Sequence, residues 1–129
     1  MHRILVANDL QGFKRLAGIL KGEEVRFVQT LSEAKQLLNS VRFDLVIAGV
    51  HFDDSRAVEL LQIVRTNKKT EKTPFVFIRT RHSSMALEIE KTINTLQKAL
   101  DHSGLIETDV LSEDDALIRK ELFRNFSAQ

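Results

Sequence analysis

The sequence predicts a single α/β domain, a three-layer α/β/α sandwich in which helices cover both faces of a parallel sheet. Short apolar runs alternate along the chain with segments whose apolar residues recur at helical spacing. One run, residues 45–48, is apolar on both faces, which is typical of a central strand in a parallel sheet. Gly49 ends this run, and the loop beyond it carries His51, Asp53 and Asp54. Ligands of open α/β sheets bind at this end of the central strands.

The amino-terminal part of the chain predicts two strand–helix units. Residues 3–7 form a short apolar run and are interpreted as the first buried strand, and the helix after it is predicted to stop at Gly22. Residues 24–28 alternate apolar and polar side chains, which indicates a second strand near an edge of the sheet. Thr30 and Glu33 have the spacing of a capping box, so the second helix is predicted to begin there.

Three further units follow the same alternation. A third helix follows the central strand, and residues 74–78 are interpreted as the fourth strand, with proline at its first position. One long helix is predicted from Ser83 or Ser84 to His102, and a short fifth strand begins at Leu105. The last helix is predicted to begin at Ser112 and to be carried by Leu117, Ile118, Leu122 and Phe126.

The succession of strands and helices predicts the topology of the sheet. Five strand–helix units in a row favour a five-stranded parallel sheet with right-handed crossovers and helices on both faces. The predicted strand order is 2-1-3-4-5, which is the flavodoxin-like order. Residues 1–129 are predicted to be this one domain, with no output domain attached.

Composition and charge restrict the function. The 19 basic and 18 acidic residues leave a net charge of +1, which gives no field that favours nucleic acid or a membrane surface. There is no cysteine, which excludes disulfides and thiol catalysis, and no apolar run approaches the roughly 20 residues of a membrane span. No nucleotide-binding or hydrolase motif is present. We therefore expect a cytoplasmic protein with no enzymatic activity.

Five segments resemble, in register, the receiver domains of two-component response regulators. The first receiver strand and its acidic pair are matched by MHRILVANDL, and the third strand, which ends at the phosphoacceptor, is matched by FDLVIAG. The start of the third helix is matched by RAVELLQIVR, with Ala57 in place of the usual glycine. The fourth and fifth strands are matched by TPFVFIRT and GLIET. The resemblance implies the receiver fold and a role in bacterial signal transduction.

Most residues at the positions of the family's phosphorylation pocket differ from the family pattern. The resemblance places Asn8 and Asp9 at the acidic pair and Gly49 at the phosphoacceptor aspartate. It places Arg79 at the Ser/Thr switch and Thr108 at the lysine. Only Asp9 agrees with the family. This pattern indicates a degenerate pocket and a pseudo-receiver that does not accept phosphate.

No cofactor or metal is predicted. Mg²⁺ requires nearly octahedral oxygen ligation, for which Asp9 alone is a poor start. A transition-metal site made of Asp9, His51 and Asp53 has no supporting spacing. The loop carboxylates of Asp53 and Asp54 are therefore interpreted as solvated.

Arg79 replaces a small hydroxyl side chain in the matched pocket. We predict that its guanidinium pairs with Asp9 and takes over the charge of both the metal and the family's lysine. The alternative is that Arg79 faces solvent together with Arg81 and His82.

Three functional hypotheses remain. The first is a phosphorylation-independent receiver-like domain that acts through contacts with protein partners, and it takes account of all the matched positions. The second is a flavodoxin-like domain that senses a small ligand or anion through Arg79, Arg81 and backbone N–H groups. The third is a receiver that is phosphorylated at Asp53 or Asp54.

The predicted fourth helix is about two turns longer than its counterpart in a typical receiver. Ile89, Ile93, Leu96 and Leu100 recur along it at the spacing of a helix–helix seam. A helix of about 28 Å overhangs a sheet whose strands are roughly 17 Å long, so its carboxyl-terminal part needs a partner. The predicted partner surface consists of Ile93, Leu96, Ala99 and Leu100, and a second copy of the chain is one candidate partner.

Overall fold

The computed structural model describes residues 1–50, 52–54, 56–79, 105–107 and 114–127. The strands are β1 (Arg3–Ala7), β2 (Glu24–Val28), β3 (Leu45–Gly49), β4 (Phe75–Arg79) and β5 (Leu105–Glu107). The helices are α1 (Leu10–Ile19), α2 (Leu31–Ser40), α3 (Ala57–Thr66) and the C-terminal helix (Asp115–Ser127). The predicted long helix falls on residues outside the described ranges.

The strands form one parallel sheet in the order β2-β1-β3-β4-β5, which confirms the predicted order. Ala7 pairs in register with Ala48, and Gly49 pairs with Ile78. The carboxyl ends of β1, β3 and β4 therefore lie side by side at one edge of the sheet. This edge carries the residues of the predicted pocket.

Two apolar cores, one on each face of the sheet, make the three layers. The core beneath α2 and α3 contains Phe75 and Phe77 of β4 and also Phe52, which comes from the loop after β3 and is fully buried. The core beneath α1 and the C-terminal helix contains Leu16 and Ile118. Since Phe52 anchors the loop after β3, that part of the sheet edge is held in place by packing.

The C-terminal helix differs from its prediction in one apolar position. Ile118 and Leu122 are fully buried, but Leu117 is 47% exposed, so the prediction that Leu117 packs inward is wrong. Ile118 and Leu122 lie four residues apart on the face that packs on the sheet, whereas Leu117 points about 100° away from Ile118 around the helix axis. Asp114 Oδ1 accepts hydrogen bonds from the backbone N–H groups of Ala116 and Leu117 and caps the helix. None of the described helices is long and apolar enough to cross a membrane.

Glu23 connects the amino terminus to the C-terminal helix. One carboxylate oxygen accepts a hydrogen bond from the backbone N–H of His2, and the other lies 3.0 Å from Arg119 Nη2. The hydrogen bond from His2 holds the pKa of Glu23 below its ordinary value, against the opposing effect of burial, and the charge of Arg119 adds to the lowering. The ionised form of Glu23 therefore stabilises the fold.

The contribution of Glu23 should depend on pH. Because the folded state binds the proton of Glu23 less readily than the unfolded state, its contribution is complete above the ordinary carboxyl pKa and is lost as pH falls through the lower, folded value. We expect Glu23→Gln to have a lower free energy of unfolding than the wild type at neutral pH. When the pH falls below about 4, the free energy of unfolding should decrease less for the variant than for the wild type. Urea unfolding at both pH values measures this, with Glu59→Gln, at an exposed position of α3, as the control. Parallel pH profiles of the wild type and Glu23→Gln would contradict the assignment.

Candidate functional site

Three of the predicted pocket residues lie at the carboxyl edge of the sheet. Asn8 directly follows β1, Gly49 ends β3 and Arg79 ends β4. Asp9 is the next residue after Asn8 and begins α1 as its N-cap. The fifth pocket residue, Thr108, lies outside the described residues.

The side chain of Asn8 fills the space between β3 and α1. Asn8 is 1% exposed, and its Oδ1 accepts a hydrogen bond of 2.8 Å from the backbone N–H of Asp9. A Cβ atom added at Gly49 would lie 2.0 Å from Asn8 Oδ1. A Cβ atom added at Gly12 of α1 would lie 2.3 Å from Asn8 Nδ2, on the other side of the same amide. The amide is thus enclosed between two glycines, and it occupies space that a Cβ atom on either residue would need.

This arrangement removes the space for a side chain at position 49. Carbon and oxygen atoms that are not bonded to each other do not approach to 2.0 Å, so any larger residue at 49 requires Asn8 to move. The amide orientation is set by its hydrogen bond, since the N–H of Asp9 needs the oxygen as acceptor. Asn8 Nδ2 is buried and has no acceptor within the described part of the chain. The amide of Asn8, with its oxygen nearest to Gly49, therefore occupies the place in which a carboxylate nucleophile at position 49 would have to stand.

The carboxylate of Asp9 caps helix α1. Its backbone is extended, with φ −77° and ψ 168°, and Oδ1 accepts a hydrogen bond of 2.7 Å from the backbone N–H of Gly12. A carboxylate in this position satisfies an N–H group that lacks an intrahelical partner and faces the positive end of the helix dipole. Asp9 is thus already engaged in a structural contact.

The structure describes Asp53 but not His51, so the weak metal candidate Asp9–His51–Asp53 is only partly visible. Within the described ranges, no three histidine, aspartate or glutamate side chains come together as ligands for a metal ion. Asp9 caps α1, and Asp53 is engaged at the start of α2. Each of these two carboxylates is therefore already engaged in a structural hydrogen bond.

Asp53 has a structural role that the sequence interpretation missed. Its Oδ2 accepts a hydrogen bond of 2.7 Å from the backbone N–H of Leu31, the first residue of α2. Asp53 and Asp54 both adopt left-handed backbone conformations, with φ of 43° and 55°. The interpretation of Asp53 as a solvated carboxylate is therefore wrong, because the tight turn after Phe52 directs it onto α2. Asp54 is exposed.

Arg79 is 8% exposed at the end of β4, and its register partner on β5 is Glu107. Burial excludes the alternative in which this side chain simply faces solvent. A guanidinium removed from water in this way requires compensating charge or hydrogen bonds. The ion pair with Asp9 stays a prediction.

We expect a measurable coupling between Asp9 and Arg79. Asp9→Ala also removes the cap of α1, which alone costs about 0.5–2 kcal/mol, so a single substitution does not identify the pair. A double-mutant cycle with Arg79→Ala isolates the pairwise contribution, and a pair removed from water should exceed the ~0–1 kcal/mol of an exposed one. Urea unfolding of the four proteins measures it. Asp9→Ser retains the cap without the charge and serves as the control; a coupling of zero would mean that Arg79 is stabilised by other groups.

The remaining predicted site residues are not described by the structure. The predicted partner surface, with Ile93, Leu96, Ala99 and Leu100, lies outside the described ranges. It stays a prediction.

The chain is similar to solved receiver domains over almost its whole length. The non-phosphorylated HemR receiver domain from Leptospira biflexa is 26% identical, with 98% of this chain and 95% of that chain covered and a TM-score of 0.69. The chemotaxis protein CheY4 of Vibrio cholerae is 20% identical, with coverages of 96% and 98% and a TM-score of 0.73. The phosphorylated cyanobacterial phytochrome response regulator RcpA is 16% identical, with coverages of 99% and 96% and a TM-score of 0.77.

These similarities establish the fold. The chain has the flavodoxin-like α/β fold of response regulator receiver domains, as the resemblance in the sequence implied. No protein family model and no curated protein matches the sequence.

Proposed function

We propose that this chain is a pseudo-receiver of two-component signalling, which accepts no phosphate and acts through contacts with other proteins. One observation carries the proposal: the buried amide of Asn8 occupies the space in which a side chain of residue 49 would stand. In the three similar proteins the same fold belongs to a chemotaxis protein, a phytochrome response regulator and a receiver domain. The fold supports the signalling role, and the closed pocket supports independence from phosphorylation.

The chemistry of phosphoryl transfer explains why the pocket is inactive. The acceptor must be a carboxylate positioned in line with the leaving group, and a divalent cation must neutralise the charge that develops. Gly49 supplies no carboxylate, and Asp9 is engaged as a helix cap. Asp53, the nearest substitute on the following loop, is held by the N–H of Leu31.

The same contacts that close the pocket stabilise the carboxyl edge of the sheet in one conformation. Asn8 Oδ1 accepts a hydrogen bond from the N–H of Asp9, the N-cap of α1, and Asp53 joins the loop after β3 to α2. A surface that does not change on phosphorylation suits a constitutive binding partner, because the affinity of the domain for that partner is the same at every concentration of phosphodonor. We propose that this domain binds its partner constitutively, without a change of conformation on phosphorylation.

We propose that the predicted partner surface on the fourth helix forms one such phosphate-independent contact. Substituting Leu96 and Leu100 by glutamine should weaken self-association or partner binding more than it lowers the melting temperature, because those leucines lie on the predicted overhang. Analytical ultracentrifugation of the wild type and the double variant, beside their melting curves, tests the assignment. A monomeric wild type with a variant that merely unfolds would place both leucines in the core.

The test of the function has two steps: identification of the partner, and measurement of whether a phosphodonor changes its affinity for the domain. Affinity purification from the source cells, with identification by mass spectrometry, supplies the partner. Its affinity for the purified domain is then measured with and without Mg²⁺ and acetyl phosphate. We expect equal affinities; a phosphodonor that changes the affinity several-fold would contradict a constitutive, phosphate-independent interaction.

A further inference from the structure

A groove crosses the amino-terminal edge of the sheet, opposite the edge that carries Asn8 and Gly49. One wall is formed by the end of α2 and the residues leading into β3, and the other by the turn that precedes β4. Two adjoining cavities of about 480 and 580 Å³ share Arg42, Phe43, Lys69 and Thr73. They form one continuous, open groove.

Four exposed cations line this groove. They are Arg42, Lys68, Lys69 and Lys72. Within the described part of the chain, none of the four has an acidic partner within 4.0 Å. Asp44 also lines the groove, but its Oδ2 accepts a hydrogen bond of 2.8 Å from the backbone N–H of Arg3. Asp44 keeps its negative charge in this bond, so four cations and the two carboxylates of Asp44 and Glu71 leave the lining a net charge of +2, and the groove is cationic.

The lysines stand on a turn that is held rigidly. Thr70 is 6% exposed, and its Oγ1 donates a hydrogen bond of 2.7 Å to the carbonyl of Val64 in α3. The backbone N–H of Lys69 donates to Asn67 Oδ1, and Arg65 Nη1 donates to the carbonyl of Thr73. The turn is therefore ordered before a ligand arrives, which lowers the entropic cost of binding.

We propose that this groove binds an acidic, extended segment of a protein partner. Charge complementarity carries the inference, because unpaired cations on a fixed turn attract aspartate and glutamate side chains. Nucleic acid fits less well: the described lining offers no exposed aromatic ring for base stacking, since Phe43 is 5% exposed. The inference goes beyond the proposed function and does not depend on it, since the groove lies at the other end of the strands from the degenerate pocket.

A defined peptide tests the groove. The probe is a short fluorescent peptide in which glutamate alternates with leucine, and binding is followed by fluorescence anisotropy at several salt concentrations. We expect the wild type to bind, and the affinity to fall as salt screens the charges. Lys68→Gln, Lys69→Gln and Lys72→Gln together should weaken binding by roughly tenfold or more, because three charge contacts are lost.

A matched variant distinguishes the loss of charge in the groove from the loss of net charge on the whole protein. Lys14→Gln, Lys21→Gln and Lys120→Gln remove the same charge at exposed positions elsewhere and should change the affinity by less than about twofold. NMR shifts on binding should map to residues 39–44 and 68–74 of the wild type. The inference is overturned by absence of binding at millimolar peptide, by equal losses in the two triple variants, or by an oligonucleotide of equal charge that binds the same residues more tightly.

Discussion

Replacing Gly49 by alanine should lower the free energy of unfolding by about 1–3 kcal/mol, the usual cost of adding a methyl group to a dense core. The new Cβ would lie 2.0 Å from Asn8 Oδ1 and 2.4 Å from Asn8 Cγ. Asn8 has little freedom to move aside, because its amide is buried, is bound to the N–H of Asp9 and meets Gly12 on its far side. Urea unfolding of Gly49→Ala measures the loss.

A second substitution should reverse much of this effect. Asn8→Ala vacates the volume that the new methyl group needs, so Gly49→Ala should cost less in that background, with a coupling of at least about 1 kcal/mol. Gly18→Ala is the matched control. Gly18 lies in α1 with no atom within 4 Å of an added Cβ, and alanine there should stabilise the helix by up to about 1 kcal/mol. Equal costs of Gly49→Ala with and without Asn8 would show that the amide does not fill the space.

The second large effect concerns Gly49→Asp, the substitution that restores the family's acceptor residue. We expect this variant to be less stable than Gly49→Ala, because it adds the same steric conflict and also takes a carboxylate out of water beside the amide oxygen of Asn8. We also expect no phosphorylation by acetyl phosphate. Asn8 and Thr108 still differ from the family pattern, and Arg79 remains at the switch position.

Unfolding and phosphorylation of Gly49→Asp are measured on the same preparation. Gly49→Asn is the control for the charge, since it is nearly isosteric with aspartate and has no ionisable group. Gly49→Asp should be the less stable of the two, and the difference should shrink at acidic pH as the carboxylate is protonated. Rapid incorporation of phosphate into Gly49→Asp would show that the pocket needs only its acceptor.

Most of the fold was predictable from periodicity. The predicted strand of residues 3–7 and the edge strand of residues 24–28 coincide with β1 and β2, because each is a short apolar or alternating run bounded by polar residues. The capping box at the start of α2 is also confirmed, with the N–H of Glu33 donating to Thr30 Oγ1. The strand order agrees with the flavodoxin-like order that the resemblance to receiver domains implied.

The interior of the site was less predictable, because it depends on contacts between residues distant in sequence. The resemblance marked Gly49 as the loss of a nucleophile, but only the register of β1 against β3 brings Asn8 beside it. Gly12 gave no signal on its own, since a glycine in α1 is not distinguishable by sequence from the open position Gly18. The contact between Asp53 and Leu31 likewise joins residues 22 positions apart.

The most direct test of the central claim, that this receiver fold accepts no phosphate, is the intact mass of the wild-type protein after incubation with acetyl phosphate and Mg²⁺. We expect an unchanged mass, because Asn8 fills the space at Gly49 and the carboxylates of Asp9 and Asp53 are engaged in structural hydrogen bonds. Stoichiometric addition of one phosphoryl group would contradict it.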